Sequence, residues 1–106
     1  MKKPSGPKFS DDDIIISKFA KALSHPARLA ILRQLASTGT CCFNELAENL
    51  PLAESTVSQH VSELREAGIV TGEYDPPRIH YSINRKEWKA MSHLMRDFIE
   101  MKVQKT

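Results

Sequence analysis

AESTVSQHVSELREAGIV, residues 53–70, sets apolar and polar side chains on two faces at helical spacing and ends at a glycine. Advancing by about 100° per residue from Val57 brings Val61 and Leu64 to the same side. Ser55, Ser58, Gln59, Ser62 and Glu66 fall on the opposite side. Surface helices usually fill that outward face with Lys, Glu and Arg, so short neutral hydrogen-bonding groups there ask for a reason. Gly68 stands where a left-handed C-terminal cap belongs, and it stops the helix sharply. His60, about 60° from Val57, borders the apolar side and is expected as a packed, hydrogen-bonded residue.

Downstream of this helix, IVTGEY and RIHYSI are two β-rich runs around Asp75-Pro76-Pro77, the pattern of a hairpin with a stiffened turn. Asn84 and Glu87 form an Asn-x-x-Glu capping box that opens a long last helix. Its apolar stripe is Trp88, Met91, Leu94, Met95, Phe98 and Ile99. Upstream, the turn PLAE joins the helix to a shorter one over 43–49, whose apolar side is Phe43, Leu46, Ala47 and Leu50. A helix carried by Leu29, Ile31, Leu32 and Leu35 precedes that and stops at Gly39. Ser24 is expected as its cap and Pro26 in its first turn, with His25 helping to set the bend. The first helix starts at Ser10, followed by Asp11, Asp12 and Asp13 facing the positive end of the dipole. Ile15, Ile16, Phe19, Ala20 and Leu23 form its apolar side.

The expected fold is therefore mainly α with a small β-hairpin, in the order α-α-α-α-β-β-α. Two helices across a tight turn followed directly by a hairpin are the arrangement of a winged helix-turn-helix. A length of 106 residues fits one domain, placed at residues 10–103. Residues 1–9, with Lys2, Lys3 and Lys8 and no acid, are expected as a flexible basic arm. A net charge of +2 weakly favours an anionic partner and is far from that of a histone-like binder. No apolar run is long enough to span a bilayer, so no membrane partner is expected. Two cysteines without a signal peptide point to a reducing compartment, the cytoplasm.

The segments KALSHPARLAILRQL, FNELAENLPLAESTVSQHVSELREAGIV and HYSIN carry a resemblance to the ArsR/SmtB-type winged-helix repressors of bacteria, running from about Ile16 to Phe98. The resemblance implies a homodimer packed through its first and last helices, which represses an operon and leaves DNA when a signal binds. On that reading the outward face of residues 54–66 enters a major groove, where short polar side chains approach closely and offer donors and acceptors. The family's DNA-facing positions fall on Glu54, Ser55, Ser58 and Gln59, with Thr56 on the flank. Gln59 is the expected base contact, since Gln grips adenine bidentately, and Ser55 and Ser58 are expected on phosphates. Glu54 is the misfit. It either accepts from a cytosine amine or turns away and caps the helix, and the second is expected. Arg78 follows the hairpin turn and is placed to reach phosphate or a neighbouring minor groove. The expected dimer stripe is Ile15, Ile16, Phe19, Trp88, Met91, Met95 and Phe98.

Metal-sensing members of that family often carry Cys-x-Cys at the third helix. Here the segment is TCCFNEL, with Cys42 on the first cysteine position and Asn44 on the second. A soft-metal site needs about three thiolate or imidazole ligands, and Cys41 and Cys42 supply two at most. His93, on the last helix, stands alone on the solvated side. Three readings of the thiols stay open: packing, redox or electrophile sensing by a Cys42 at a helix N-terminus, and metal binding. Neither metal nor cofactor is expected, and the inducer is unspecified. With no nucleophile-base pair or phosphate-cradling glycine loop, an enzyme is the least favoured class. The reading adopted is a DNA-binding repressor acting on an operator inverted repeat; its rival is a winged-helix protein-interaction module without DNA binding.

Overall fold

The computed structural model describes residues 8–105; most of the expected basic arm, including Lys2 and Lys3, lies outside them. The elements run α1 (Asp11–Ala22), α2 (Pro26–Thr38), β1 (Cys41–Cys42), α3 (Phe43–Glu48), α4 (Glu54–Glu66), β2 (Val70–Asp75), β3 (Arg78–Ile83) and α5 (Arg85–Ile99). The order expected from sequence thus gains one strand. Cys41 and Cys42 pair antiparallel with Tyr81 and His80, so the hairpin becomes a three-stranded sheet in the order β1-β3-β2. That strand ties the start of the helix-turn-helix to the outer hairpin.

The local starts and stops follow the sequence with two corrections. Ser10 caps α1 by accepting from the Asp13 amide at 3.1 Å. Ser24 does not cap α2: its hydroxyl donates back to the Lys21 carbonyl, and His25 is the cap, its Nδ1 accepting from the Ala27 amide at 3.0 Å. The backbone at His25 is extended, as an N-cap requires, and the imidazole takes the accepting role that a serine hydroxyl ordinarily fills. At α5, Asn84 Oδ1 accepts from the Glu87 amide, which realises one half of the expected capping box.

The core gathers one face from each helix around the sheet. Phe19, Ile31, Leu35, Leu46, Val57, Leu64 and Ile69 are almost wholly withdrawn from solvent. Burying an aliphatic side chain of this size contributes about 1.5–3 kcal/mol. Leu29, expected on the inner side of α2, is instead 40% exposed. Phe19 and Met91 join the chain's own core, and Phe19 meets Trp88 edge to face at 5.4 Å. This contact packs α1 on α5 within one chain.

Candidate nucleic-acid interface

Helix α4 is held from behind and left open in front. Val57, Val61 and Leu64 are buried on α2, α3 and the sheet, whereas Glu54, Ser55, Thr56, Ser58, Gln59 and Ser62 are exposed. The helix ends in a Schellman motif. The Gly68 amide donates to the Arg65 carbonyl and the Ile69 amide to the Leu64 carbonyl, with Gly68 at φ 78°. The accompanying apolar contact is made by Leu64 and Ile69, both fully buried. This closing turn sends the chain straight into β2, so the orientation of the hairpin follows from that of α4.

The start of α4 differs from the expectation for Glu54. The capping position is Ala53, which has no side-chain acceptor, and Glu54 is the first helical residue. Its carboxylate stands beside the positive end of the helix, a favourable placement that replaces the cap it was expected to form.

His60 faces inward, as expected. Arg28 Nε donates to His60 Nδ1 at 3.1 Å, and the imidazole lies against that of His25 at 4.2 Å between ring centres. Burial, reinforced by the neighbouring His25 and Arg28, pushes the His60 pKa below its usual value. His60 is therefore neutral at pH 7 and belongs to the α2–α4 contact. Arg28 also donates to the Lys21 carbonyl at 3.1 Å, which links the end of α1 to the back of α4.

The hairpin pairs Val70–Asp75 with Arg78–Ile83 in continuous register, leaving Pro76 and Pro77 as a two-residue tip. Arg78 is exposed next to that tip, across the ladder from Asp75. Arg65, which sequence reasoning did not single out, reaches from the end of α4 over the Tyr81 ring, 5.7 Å from its centre. Gly72 leaves room for this: a Cβ there would lie 3.2 Å from both Arg65 Cζ and Tyr81 Cε1. The helical spacing of Arg65 shows only that it lies beside the apolar face, so its aromatic partner was not readable.

Both thiols are inside. Cys41, 1% exposed, lies beside Thr38 Oγ1 at 3.0 Å and Gln34 Nε2 at 3.6 Å. Cys42 caps α3, and its amide donates to Glu45 Oε1 at 3.0 Å. That hydrogen bond, with the Cys42 side chain and the nearby His80 and Arg78, holds the Glu45 carboxyl below the usual carboxylate range. The two cysteines point to different neighbours and gather no third ligand: among the described residues no group of three His, Cys, Asp or Glu side chains could hold a metal ion. His93 pairs with Asp97 at 3.4 Å on the exposed side of α5.

The remaining expected stripe divides in two. Trp88 and Met95 are half-buried against the core, and Ile16 is also half-buried. Ile15 and Phe98 are 39% and 49% exposed. Among the described residues, no helix is long and apolar enough to cross a membrane.

A helix with a free polar face, braced by a second helix across a tight turn and followed by a hairpin, defines a winged helix-turn-helix fold. Residues 25–71 match the model of the bacterial regulatory proteins of the arsR family. Over 71 residues the chain is 37% identical to the HTH-type transcriptional regulator YgaV of Escherichia coli K12, covering 67% of this chain and 72% of that one. It is 35% identical over 86 residues to the HTH-type transcriptional regulator CmtR of Mycobacterium tuberculosis H37Rv, covering 81% and 67%. HlyU from Vibrio cholerae N16961 superposes with a TM-score of 0.70 at 28% identity, over 85% of this chain and 97% of that one. The chain belongs to the ArsR/SmtB family of winged-helix regulators. It is accordingly a DNA-binding transcriptional regulator.

Proposed function

We propose that the protein is a homodimeric repressor that binds an operator inverted repeat through α4 and is released by a signal. The observation that carries this reading is the outward face of α4, where Ser55, Thr56, Ser58, Gln59 and Ser62 stand exposed in front of a fully packed back. In a major groove Gln59 reads a base edge, and Ser55 and Ser58 hold phosphates. Thr56 lies on the flank, and Glu54 stays beside its own helix end. Arg78 reaches the backbone next to the groove from the tip of the wing. Ala53 offers no side-chain cap, and the Thr56 amide donates to the Ala53 carbonyl, which leaves the Glu54 and Ser55 amides of the first turn available to a phosphate oxygen.

Ile15, Ile16 and Phe98 make up the outer part of the dimer face, with Trp88 and Met95 supporting it. Phe19 and Met91 act from beneath, within each chain. Cys42 stands at the start of α3, but the burial of both thiols weighs against a thiol sensor, and two cysteines fall short of the three ligands of a soft-metal site. A cytoplasmic location fits a regulator of transcription with free thiols.

The test is a mobility-shift titration on the DNA upstream of the protein's own gene, at several salt concentrations. A repressor neutralising several phosphates loses affinity steeply as salt rises, with a log–log slope of about −0.9 per phosphate contact. Absence of retardation at any salt would favour the protein-interaction module.

A further inference from the structure

Away from the proposed DNA face, α2, the end of β3 and α5 enclose a furrow. Its narrower part, about 260 Å³, is lined by Leu23, Leu29, Leu32, Ala36, Ile83 and Trp88, with Arg33 at its edge. A wider part of about 790 Å³ shares Ala36, Ile83 and Trp88 and opens towards Arg85, Lys86 and Lys89. Together the two parts have the size of a small-molecule site. Four cations stand around the furrow, and no carboxylate lines either part. Among the described residues none of these cations forms an ion pair; the two pairs present are His80–Asp75 and His93–Asp97. The site is thus apolar at its floor and positive at its rim.

We propose that this furrow binds a small amphipathic anion, an alkyl or aryl carboxylate, with its hydrocarbon on Trp88, Leu29 and Ile83 and its carboxylate among the rim cations. The charge pattern selects the occupant. A neutral apolar molecule would leave the cations unused, and a cationic amphiphile would meet four like charges. A second copy of the chain is the competing occupant, and the experiment separates it. The position also suggests a consequence that rests on the repressor reading. α2 packs its other side on α4, and Ile83 ends the inner strand of the wing. A wedge between α2 and α5 therefore moves the DNA-facing elements relative to the helix proposed to hold the dimer together.

Trp88 is the chain's single tryptophan and floors the furrow, so its emission reports occupancy directly. The full chain is titrated with decanoate, and separately with decyltrimethylammonium, below their micelle concentrations, with oligomeric state followed by sedimentation. Decanoate is expected to give a saturable change in emission at constant oligomeric state, with a Kd at least tenfold below that of the cationic amphiphile. Arg33→Gln with Lys89→Gln, two exposed substitutions that leave the core intact, should raise the decanoate Kd about tenfold. Equal binding of both amphiphiles, an unchanged Kd in the double variant, or no saturable change would each overturn the proposal. A response that appears only as the protein dissociates would assign the furrow to a second copy and also overturn it. None of these readings uses DNA, so their failure is distinct from failure of the repressor reading. A separate arm measures operator affinity, which should fall at least fivefold at saturating decanoate. Unaltered affinity beside confirmed binding would overturn the coupling alone.

Discussion

Helices α4 and α5 are both amphipathic, but their apolar faces end differently. On α4, Val57 and Leu64 are fully buried and Val61 nearly so; nothing apolar is left over. On α5 burial fades along the helix, from Met91 at 8% exposed through a half-buried Met95 to Phe98 at 49% and Ile99 at 69%. The first helix is completed by its own chain and turns a polar surface outward. The second is not completed, and its last turn spends apolar surface on solvent unless another molecule covers it. The one suits a ligand met through hydrogen bonds, the other a partner met through hydrophobic contact.

The contrast can be broken most forcefully at the back of α4. Leu64→Ala should cost about 2–5 kcal/mol of stability, because the site is closed on all sides and collapses poorly. Chemical denaturation measures this; a cost below about 1 kcal/mol would mean that the back of α4 is not the packed anchor described. The same method applied to Ile99→Ala should show almost no loss in the isolated chain.

Next in size is the dimer. Phe98→Glu with Ile99→Glu should leave the fold intact and weaken self-association by about 2 kcal/mol or more, roughly thirtyfold in dissociation constant. Sedimentation equilibrium reads both states. An unchanged dimer would move the interface elsewhere, and an unfolded variant would place these side chains in the chain's own core.

A smaller effect lies behind α4 at His60. Its pKa is lowered by burial and by His25 and Arg28, so the folded state binds this proton less readily than the unfolded chain. The stabilising contribution is complete above the unfolded value of about 6.5 and is lost as pH falls through the lower folded value. Thermal stability should drop between pH 7.5 and 5.5, and His60→Gln, which keeps an acceptor for Arg28, should flatten that drop. Identical pH profiles for the two proteins would remove His60 from the account.

The smallest expected effect is at the thiols. Cys41 and Cys42 are buried, and Asn44, which binds soft ions poorly, occupies the position of a second spaced ligand. Operator affinity should change less than tenfold on adding zinc, cadmium or arsenite. Tight stoichiometric binding abolished by Cys42→Ser would restore a metal-sensor reading.

Much of this contrast is legible in sequence because α4 is a local object. Val57, Val61 and Leu64 recur at helical spacing, and a glycine closes the helix whatever surrounds it. The β-strand at Cys41–Cys42 is not legible, since two residues show no alternation and their pairing partners lie about forty positions away. The choice of His25 over Ser24 as cap escapes for a similar reason: both fit the bend, and tertiary contact with His60 favours the imidazole. Phe19 and Met91 share a periodic stripe with Ile15 and Phe98, yet only the packing of α1 on α5 shows which of them the chain buries itself. Periodicity reports a face; it does not say who covers it.

The polar front of α4 is proposed to read DNA, and affinities on altered operators distinguish this from an idle surface. Operator affinity is measured for the wild type, Gln59→Ala and Ser58→Ala, each on the operator and on a series with single base pairs replaced. Loss of the Gln59 amide should flatten discrimination at one base pair per half-site, by about 1–3 kcal/mol. Loss of the Ser58 hydroxyl should weaken binding to every sequence alike, by about 1 kcal/mol, because a phosphate contact carries no base information. Wild-type affinity and discrimination in both variants would take α4 out of the groove and contradict the account.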